Sequence, residues 1–295
     1  MKKEEGEEKA KEVIVSSDFR LMLRLFLRSP TSLTGIIIVL ILIVLAIIGP
    51  YIAPYDPYLQ NIDERLKPPN WKHLCGTDQL GRDIFSRILY GCRISLSIAI
   101  LVVLVSTSIG LILGLISGYL GGIADEILMR ITDMFFAFPR LILAMAVAAA
   151  LGPGLYNVMF SIATVSWPVY ARLVRACVLQ IKNETYIEAA RAIGASRLRI
   201  MFKHILPMVI HAIIVQSTLD MGGVILLAAG LGFLGLGAPP PTPEWGVMVS
   251  EGRMYIRAQW WVSTFPGLAI FLAALGFNLL GDGLRDVLDV KERRE

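Results

Sequence analysis

The sequence predicts an all-α polytopic membrane protein with six transmembrane helices, and three observations carry that prediction. The mean hydropathy is +0.64. Of the 295 residues, 55% are hydrophobic and 18% charged, whereas a soluble domain carries roughly 25% charged residues. That leaves too little charge to cover a water-facing surface and argues against both a soluble enzyme and a disordered scaffold. Second, long stretches lack any charge: Thr31–Tyr55 for 25 residues, Ile94–Ala124 and Leu141–Ala171 for 31 each, and Ala258–Gly281 for 24. About 20 apolar residues suffice to cross a bilayer. Third, Lys and Arg gather in alternate connecting segments, the pattern that orients a membrane protein.

Residues 1–17 read as a solvated arm. In Asp18–Arg28, Phe19, Leu21, Met22, Leu25 and Phe26 share one helical face while Arg20, Arg24 and Arg28 line another. Such a helix suits either the inner membrane surface or packing on the rest of the chain. The first span follows at about 33–52 and should remain as an anchor, because no small-residue cleavage site follows it. The second is placed at about 96–119. Gly152-Pro153-Gly154 interrupts the third charge-free run, so the third span must start near Ile131 and take in Asp133 and Arg140. The fourth is placed at about 155–174, the fifth at about 208–234 and the sixth at about 261–281.

With the amino terminus inside, the inner segments hold seven Lys or Arg before helix one, Arg130 after helix two, seven across 172–203 and four after helix six. The outer turns hold none between helices three and four, and two between five and six. The first outer loop holds six but also carries five acids. This bias places both termini in the cytosol. The expected division is a cytosolic arm and surface helix at 1–30, the first span at 31–55, an extracytoplasmic loop at 56–93, a core transmembrane domain at 94–285 and a cytosolic tail at 286–295.

The segment between helices four and five is the most informative. From Glu184 to Ile193 it has helix formers throughout, Gly194 can take the left-handed conformation that stops a helix, and Ser196 can cap the next one. The expected product is a helix, a sharp turn and a second helix. Ala189 and Ala190 keep one face flat enough for another protein to approach. In this segment Glu188, Ala189, Ala190, Gly194, Leu206 and Pro207 resemble the E-A-A-x-x-x-G loop ending in L-P of the membrane subunits of bacterial ATP-binding cassette importers. His204 stands where the general pattern has isoleucine, with Ile205 directly after it.

A narrower resemblance runs along almost the whole chain. Gly76-Thr77-Asp78-Gln79-Leu80-Gly81-Arg82-Asp83, Ser86-Arg87, Arg93-Ile94-Ser95-Leu96, Phe138-Pro139, Gly152-Pro153-Gly154, Tyr170-Ala171-Arg172 and Phe233-Leu234-Gly235-Leu236-Gly237 are similar to the second, C-type permease of dipeptide and oligopeptide importers. That resemblance implies the type I ABC importer permease (MetI-like) fold in a bacterial or archaeal plasma membrane. It implies ATPase coupling through Glu188, Ala189, Ala190, Gly194, Leu206 and Pro207. The implied partners are a homologous permease, two cytosolic ATP-binding subunits and an extracytoplasmic substrate-binding protein, within membrane lipid. No nucleic-acid partner and no cofactor are expected. A phosphate-cradling loop needs a Gly-Lys pair, and the chain has none, so ATP hydrolysis is expected from partner subunits.

Asp220 lies among apolar residues at membrane depth, where a charge costs at least about 2.5 kcal/mol at the centre. It is a candidate substrate-pathway residue for a cationic group, or else a helix-contact carboxylate. Arg140 follows Pro139 and lies seven residues beyond Asp133. It could form a strained pair with Asp133, snorkel, or line the pathway. Trp167-Pro168 reads as a packed kink and Gly232–Gly237 as a close-packing strip, with Pro239-Pro240-Pro241 forcing an extended turn. His73, His204 and His211 share no segment, and no metal site is expected. Cys75 and Cys92 fall on the outer side, where a disulfide is allowed but not demanded. Leu80, Ile84, Ile88 and Leu89 share a face if helical, suiting a helix at the mouth, either near a binding-protein contact or as a collar. The expected job is a pathway opened alternately to each side, for peptides, with oligosaccharides or nickel complexes as alternatives. Two rivals differ in class. An ion-coupled carrier would bury more ionisable groups than Asp133, Arg140 and Asp220, and an intramembrane enzyme would need a nucleophile with a base or a metal-ligand set.

Overall fold

The computed structural model describes residues 29–292. The expected arm and surface helix before residue 29 lie outside the described residues. Among the described residues the regular structure is all helix apart from an isolated bridge between Thr77 and Asp83. In order, the main helices are α1 Pro30–Ile52, α2 Ile84–Leu120, α3 Gly122–Phe136, α4 Arg140–Leu151, α5 Leu155–Ile181, α6 Thr185–Ala192, α7 Leu206–Phe233, α8 Trp245–Gly252 and α9 Trp261–Glu292. Five stretches are long and apolar enough to cross a membrane: α1, α2, α5, α9, and α7 joined to the turns before it. The pair α3 and α4, bent by 89°, makes a broken sixth span if counted as one.

Three departures from the sequence expectations have physical causes. Helix α2 begins at Ile84, twelve residues before the expected start at 96, because Asp83 caps it. The Asp83 carboxylate accepts hydrogen bonds from the Ser86 amide and hydroxyl, both at 2.7 Å, satisfying donors that a helix start otherwise leaves unpaired. The apolar face Ile84, Ile88 and Leu89 therefore belongs to α2, with Ile84 and Leu89 buried. The expected third span, 131–151, is two helices: Pro139 has no amide hydrogen and restrains Phe138 to an extended conformation, so the chain turns through a right angle before Arg140. Arg130 consequently lies within α3 rather than in a loop. Between α7 and α9 there is an unexpected short helix, α8, whose start is capped by Glu244 accepting from the amides of Gly246 and Val247, each at 2.9 Å. By contrast, α5 runs through Pro168 without a break, with Trp167 and Pro168 buried and Trp167 edge-on to Phe135 at 5.3 Å between ring centres.

The tightest packing is between α2 and α5. Gly110, Gly114 and Gly118 repeat every fourth residue on α2, and a Cβ at these positions would stand 2.3 Å from Tyr170 Cβ, 2.6 Å from Ala171 O and 2.7 Å from Val178 Cβ. Small residues at this spacing let two backbones approach, which is how helices associate where lipid removes the hydrophobic drive. The same device closes the turn after α7, where a Cβ on Gly237 would meet Gly232 Cα at 2.5 Å.

At the end of the bundle where α2 begins, residues 53–83 fold into a collar. Asn61 N–H donates to Leu80 O, Leu66 N–H to Asp78 O and Thr77 N–H to Lys67 O, all at 3.0 Å. Arg82 and Arg87, both 1% exposed, donate to the same Glu251 Oε2 at 3.0 Å, and Arg82 Nε also donates to Asp78 Oδ2 at 2.6 Å. Two indoles add stitches: Trp245 donates to Ile88 O at 3.1 Å and Trp261 to Thr77 O at 3.3 Å. Among the described residues, Cys75, Cys92 and Cys177 form no disulfide.

Candidate functional site

Two assemblies have the character of a functional site: an elbow between α5 and α7, and an ion pair in the middle of α7. The elbow starts with α6. Its end is a Schellman turn, in which Gly194 N–H donates to Arg191 O at 3.1 Å and Ala195 N–H to Ala190 O at 3.0 Å. The turn requires Gly194 at φ +86°, a left-handed conformation that glycine adopts without penalty. Ser196 then caps the next turn, its Oγ accepting from Arg199 N–H at 3.4 Å. Residues Ile200–Ile205 wind as a wider π-type turn. Pro207 explains this widening, because its ring clashes with the carbonyl four residues back and supplies no donor.

One face of the elbow is fixed inward. Ile187, Ile200, Met201 and Ile205 are buried with Leu115, Val174, Val178, Val209 and Ile213 in a cluster of their own. Ala190 is buried beside them at 6% exposure while Ala189 is exposed, so the two alanines do not share the flat outer face that the sequence suggested. The outward face instead carries large apolar side chains: Ile193 at 86% exposed, Leu198 at 66% and Phe202 at 56%. Glu188 and Pro207 are exposed and Leu206 is half-buried.

The second assembly joins two residues that sequence reasoning treated apart. Arg140, the first residue of α4, donates from Nη1 to Asp220 Oδ1 at 2.9 Å and from Nη2 to Asp220 Oδ2 at 3.4 Å. Its Nη2 also donates to Ser166 Oγ at 2.6 Å, and Tyr170 OH donates to Asp220 Oδ2 at 3.1 Å. Beside it, the Thr107 and Ser217 hydroxyls are 3.2 Å apart. The pair thus ties α4, α5 and α7 together at one depth. The countercharge offsets most of the cost of placing a carboxylate there. Asp133, the partner that sequence spacing offered Arg140, instead bonds Arg172 at 2.5 Å, because the bend between α3 and α4 turns Arg140 away from it.

Around the collar, electrostatics serve architecture. Glu64 accepts hydrogen bonds from Lys72 and His73, which hold its carboxyl down to about 2. Burial pushes the Cys75 thiol up to about 11, helped by the nearby Asp83 charge. Burial likewise raises the Glu244 carboxyl, opposed by the two amides it caps. No cluster of metal-ligating side chains occurs among the described residues. Sequence reading missed Glu251, whose only signal was an acid beside an apolar turn, and the Gly110-Gly114-Gly118 strip, which is visible in the sequence at four-residue spacing.

Spans packed on small residues, a partly apolar elbow exposed at one end, and a charge-compensated joint at mid-depth together define a multi-span membrane permease. Comparison with known proteins places it more narrowly. Residues 110–294 match the family of binding-protein-dependent transport system inner membrane components, and residues 17–69 match the N-terminal transmembrane domain of oligopeptide transport permease C. The chain belongs to that binding-protein-dependent family and is a permease subunit of its inner-membrane transport systems. It is 48% identical over 89% of its length to the probable D,D-dipeptide transport system permease protein DdpC of Escherichia coli, covering 88% of that protein. It is 46% identical to the di/tripeptide transport system permease protein DppC of Pseudomonas aeruginosa, over 90% of each chain. The glutathione transport system permease protein GsiD of Pectobacterium atrosepticum is 49% identical, over 94% of this chain and 92% of that one. Among solved structures, the inward-facing MetNI methionine ABC transporter matches with a TM-score of 0.55 at 22% identity, over 68% of this chain and 96% of the matched chain, which shows a shared fold.

Proposed function

We propose that this chain is the C-type permease of a peptide importer, forming half of a pathway with a homologous permease. In this reading ATP-binding subunits on the cytosolic side push on the elbow, and an extracytoplasmic receptor delivers the substrate. The relatives named for D,D-dipeptides, di- and tripeptides and glutathione support a short peptide or peptide-like substrate over oligosaccharides or nickel complexes. Both termini then lie in the cytosol with the elbow, and the collar faces outward. Hydrolysis belongs to the ATP-binding partners, and this chain contributes no reaction of its own.

One observation carries the coupling proposal: the exposed elbow and the mid-depth ion pair are parts of one continuous helical stretch. Arg197–Phe233 runs for 37 residues, about 55 Å at 1.5 Å per residue, with Leu198 and Phe202 near one end and Asp220 further along. A partner that grips the Ile193, Leu198 and Phe202 side chains moves α7 as a rod. In the arrangement described here Arg140 closes on Asp220. Displacing α7 would separate them and present both charges to the pathway, where a peptide's two termini supply complementary groups.

Reconstituting the complete transporter in sealed vesicles tests this. Gly194→Pro should abolish ATP-driven uptake of a dipeptide while the protein stays inserted, and a cysteine placed at Ile193 should crosslink to an ATP-binding subunit. Undiminished uptake in the proline variant, or no crosslink to a nucleotide-hydrolysing neighbour, would refute the proposal.

A further inference from the structure

A cleft beside the elbow has a chemistry that coupling does not use. It encloses about 640 Å³ between the end of α2, the end of α5 and the elbow, with Tyr119, Leu120, Lys182, Arg191, Arg197 and Ile200 in its lining. Three lining side chains are cations, and no acidic side chain lines it. Lys182 is held in place, its Nζ donating to Gly118 O at 3.0 Å. Arg191 and Arg197 are exposed and make no ion pair among the described residues.

Three cations with no acid among the lining residues repel one another, since Asp125, whose charge reaches Lys182, is already bonded to Arg175, and an anion between them relieves that cost. The wall is not uniformly polar, however. Leu120 is 51% exposed at the rim, and Tyr119 beside it is the residue type that settles where hydrocarbon meets water. The cleft therefore combines cationic and apolar side chains in one lining, at the end of a spanning helix.

We propose that this cleft binds the phosphate group of an anionic phospholipid. Guanidinium groups grip phosphate oxygens in a planar fork, a task that suits Arg191 and Arg197. Lys182 adds a fixed point charge, and an acyl chain leaves over Leu120. Basic pockets at the water-facing ends of spanning helices have this specificity in general. The exposed Leu120 in the lining favours a phosphate carried by a lipid over one free in solution. Arg191 and Arg197 lie on the elbow itself, so the proposal shares that element and its position at a membrane surface with the coupling reading. It needs no ATP-binding partner, so the two can fail separately.

The test uses the full-length protein in nanodiscs of mixed phosphatidylglycerol and phosphatidylcholine, with lipid retained after extraction read by mass spectrometry. The wild type should retain phosphatidylglycerol above its bulk fraction. Arg191→Gln with Arg197→Gln should lower that retention on the order of tenfold, and folding should survive because both side chains are exposed. Arg253→Gln with Arg257→Gln, at the opposite end, should leave retention unchanged. Undiminished phosphatidylglycerol in the Arg191/Arg197 variant would overturn the assignment. So would binding of orthophosphate by the detergent-solubilised protein with no preference for the lipid, which would give the cleft to a soluble anion.

Discussion

Asp220 is tolerated in α7 because Arg140 and Tyr170 both reach it, and the energetics of that contact are those of a buried pair. Removing one member leaves the other charge uncompensated, which costs about 3–5 kcal/mol. Asp220→Asn and Arg140→Gln should each lower stability in detergent by that order, and the double variant should recover most of the loss. Thermal unfolding of all four proteins measures the coupling directly. Glu64 obeys a different rule at the collar. Its folded carboxyl is depressed from 4.5 to about 2, so the stability it contributes is present above 4.5 and is lost as pH falls through about 2. Glu64→Gln should flatten that acid limb, as read by proteolysis of the collar across the same range. Both members of the mid-depth pair were conspicuous in the sequence, since charge within an apolar run has few explanations. Their partnership was not, because they lie 80 positions apart and the bend that brings them together is a tertiary fact.

Among the elements, α2 and α5 show what close approach demands. A side chain at Gly114 would collide with the Ala171 carbonyl, a backbone atom that cannot yield, so Gly114→Leu should exceed the usual overpacking cost of about 1–3 kcal/mol. We expect loss of monodisperse protein on size-exclusion chromatography. Gly194 is the opposite case. Nothing lies within 4 Å of its added Cβ, so Gly194→Ala should cost only the conformational penalty of about 1–2 kcal/mol, with the elbow still formed. The elbow was legible in the sequence because its capping and stop residues act locally. The break in the third span was legible as Pro139 but not as a right angle, since a proline states where a helix stops and not where the chain goes next. The true start of α2 was missed because hydropathy marks membrane contact, whereas Asp83 marks the helix.

At the scale of the molecule, the charge-free runs were enough to count the spans, and the distribution of Lys and Arg carries the proposed orientation. The proposed sidedness predicts that a cysteine at Leu198 and one at Trp71, which is 98% exposed, react with an impermeant thiol reagent from opposite faces of a sealed vesicle. Labelling of both from one face would invert or break the topology. Two of the native thiols interfere little, since Cys92 is buried and burial pushes the Cys75 thiol up to about 11. The collar was the least legible part: Glu251 meets Arg82 across 169 positions, a separation over which no periodicity or spacing rule operates.

The pairing of charges between helices has an electrical corollary. Arg172 with Asp133 and Arg175 with Asp125 are each self-cancelling. A transmembrane voltage does work on charge displaced along it, at about 2.3 kcal/mol per elementary charge per 100 mV, so couples whose two members move together do not register the field. Collapsing the potential with an ionophore at constant nucleotide concentration should therefore leave the turnover of a zwitterionic cargo unaltered.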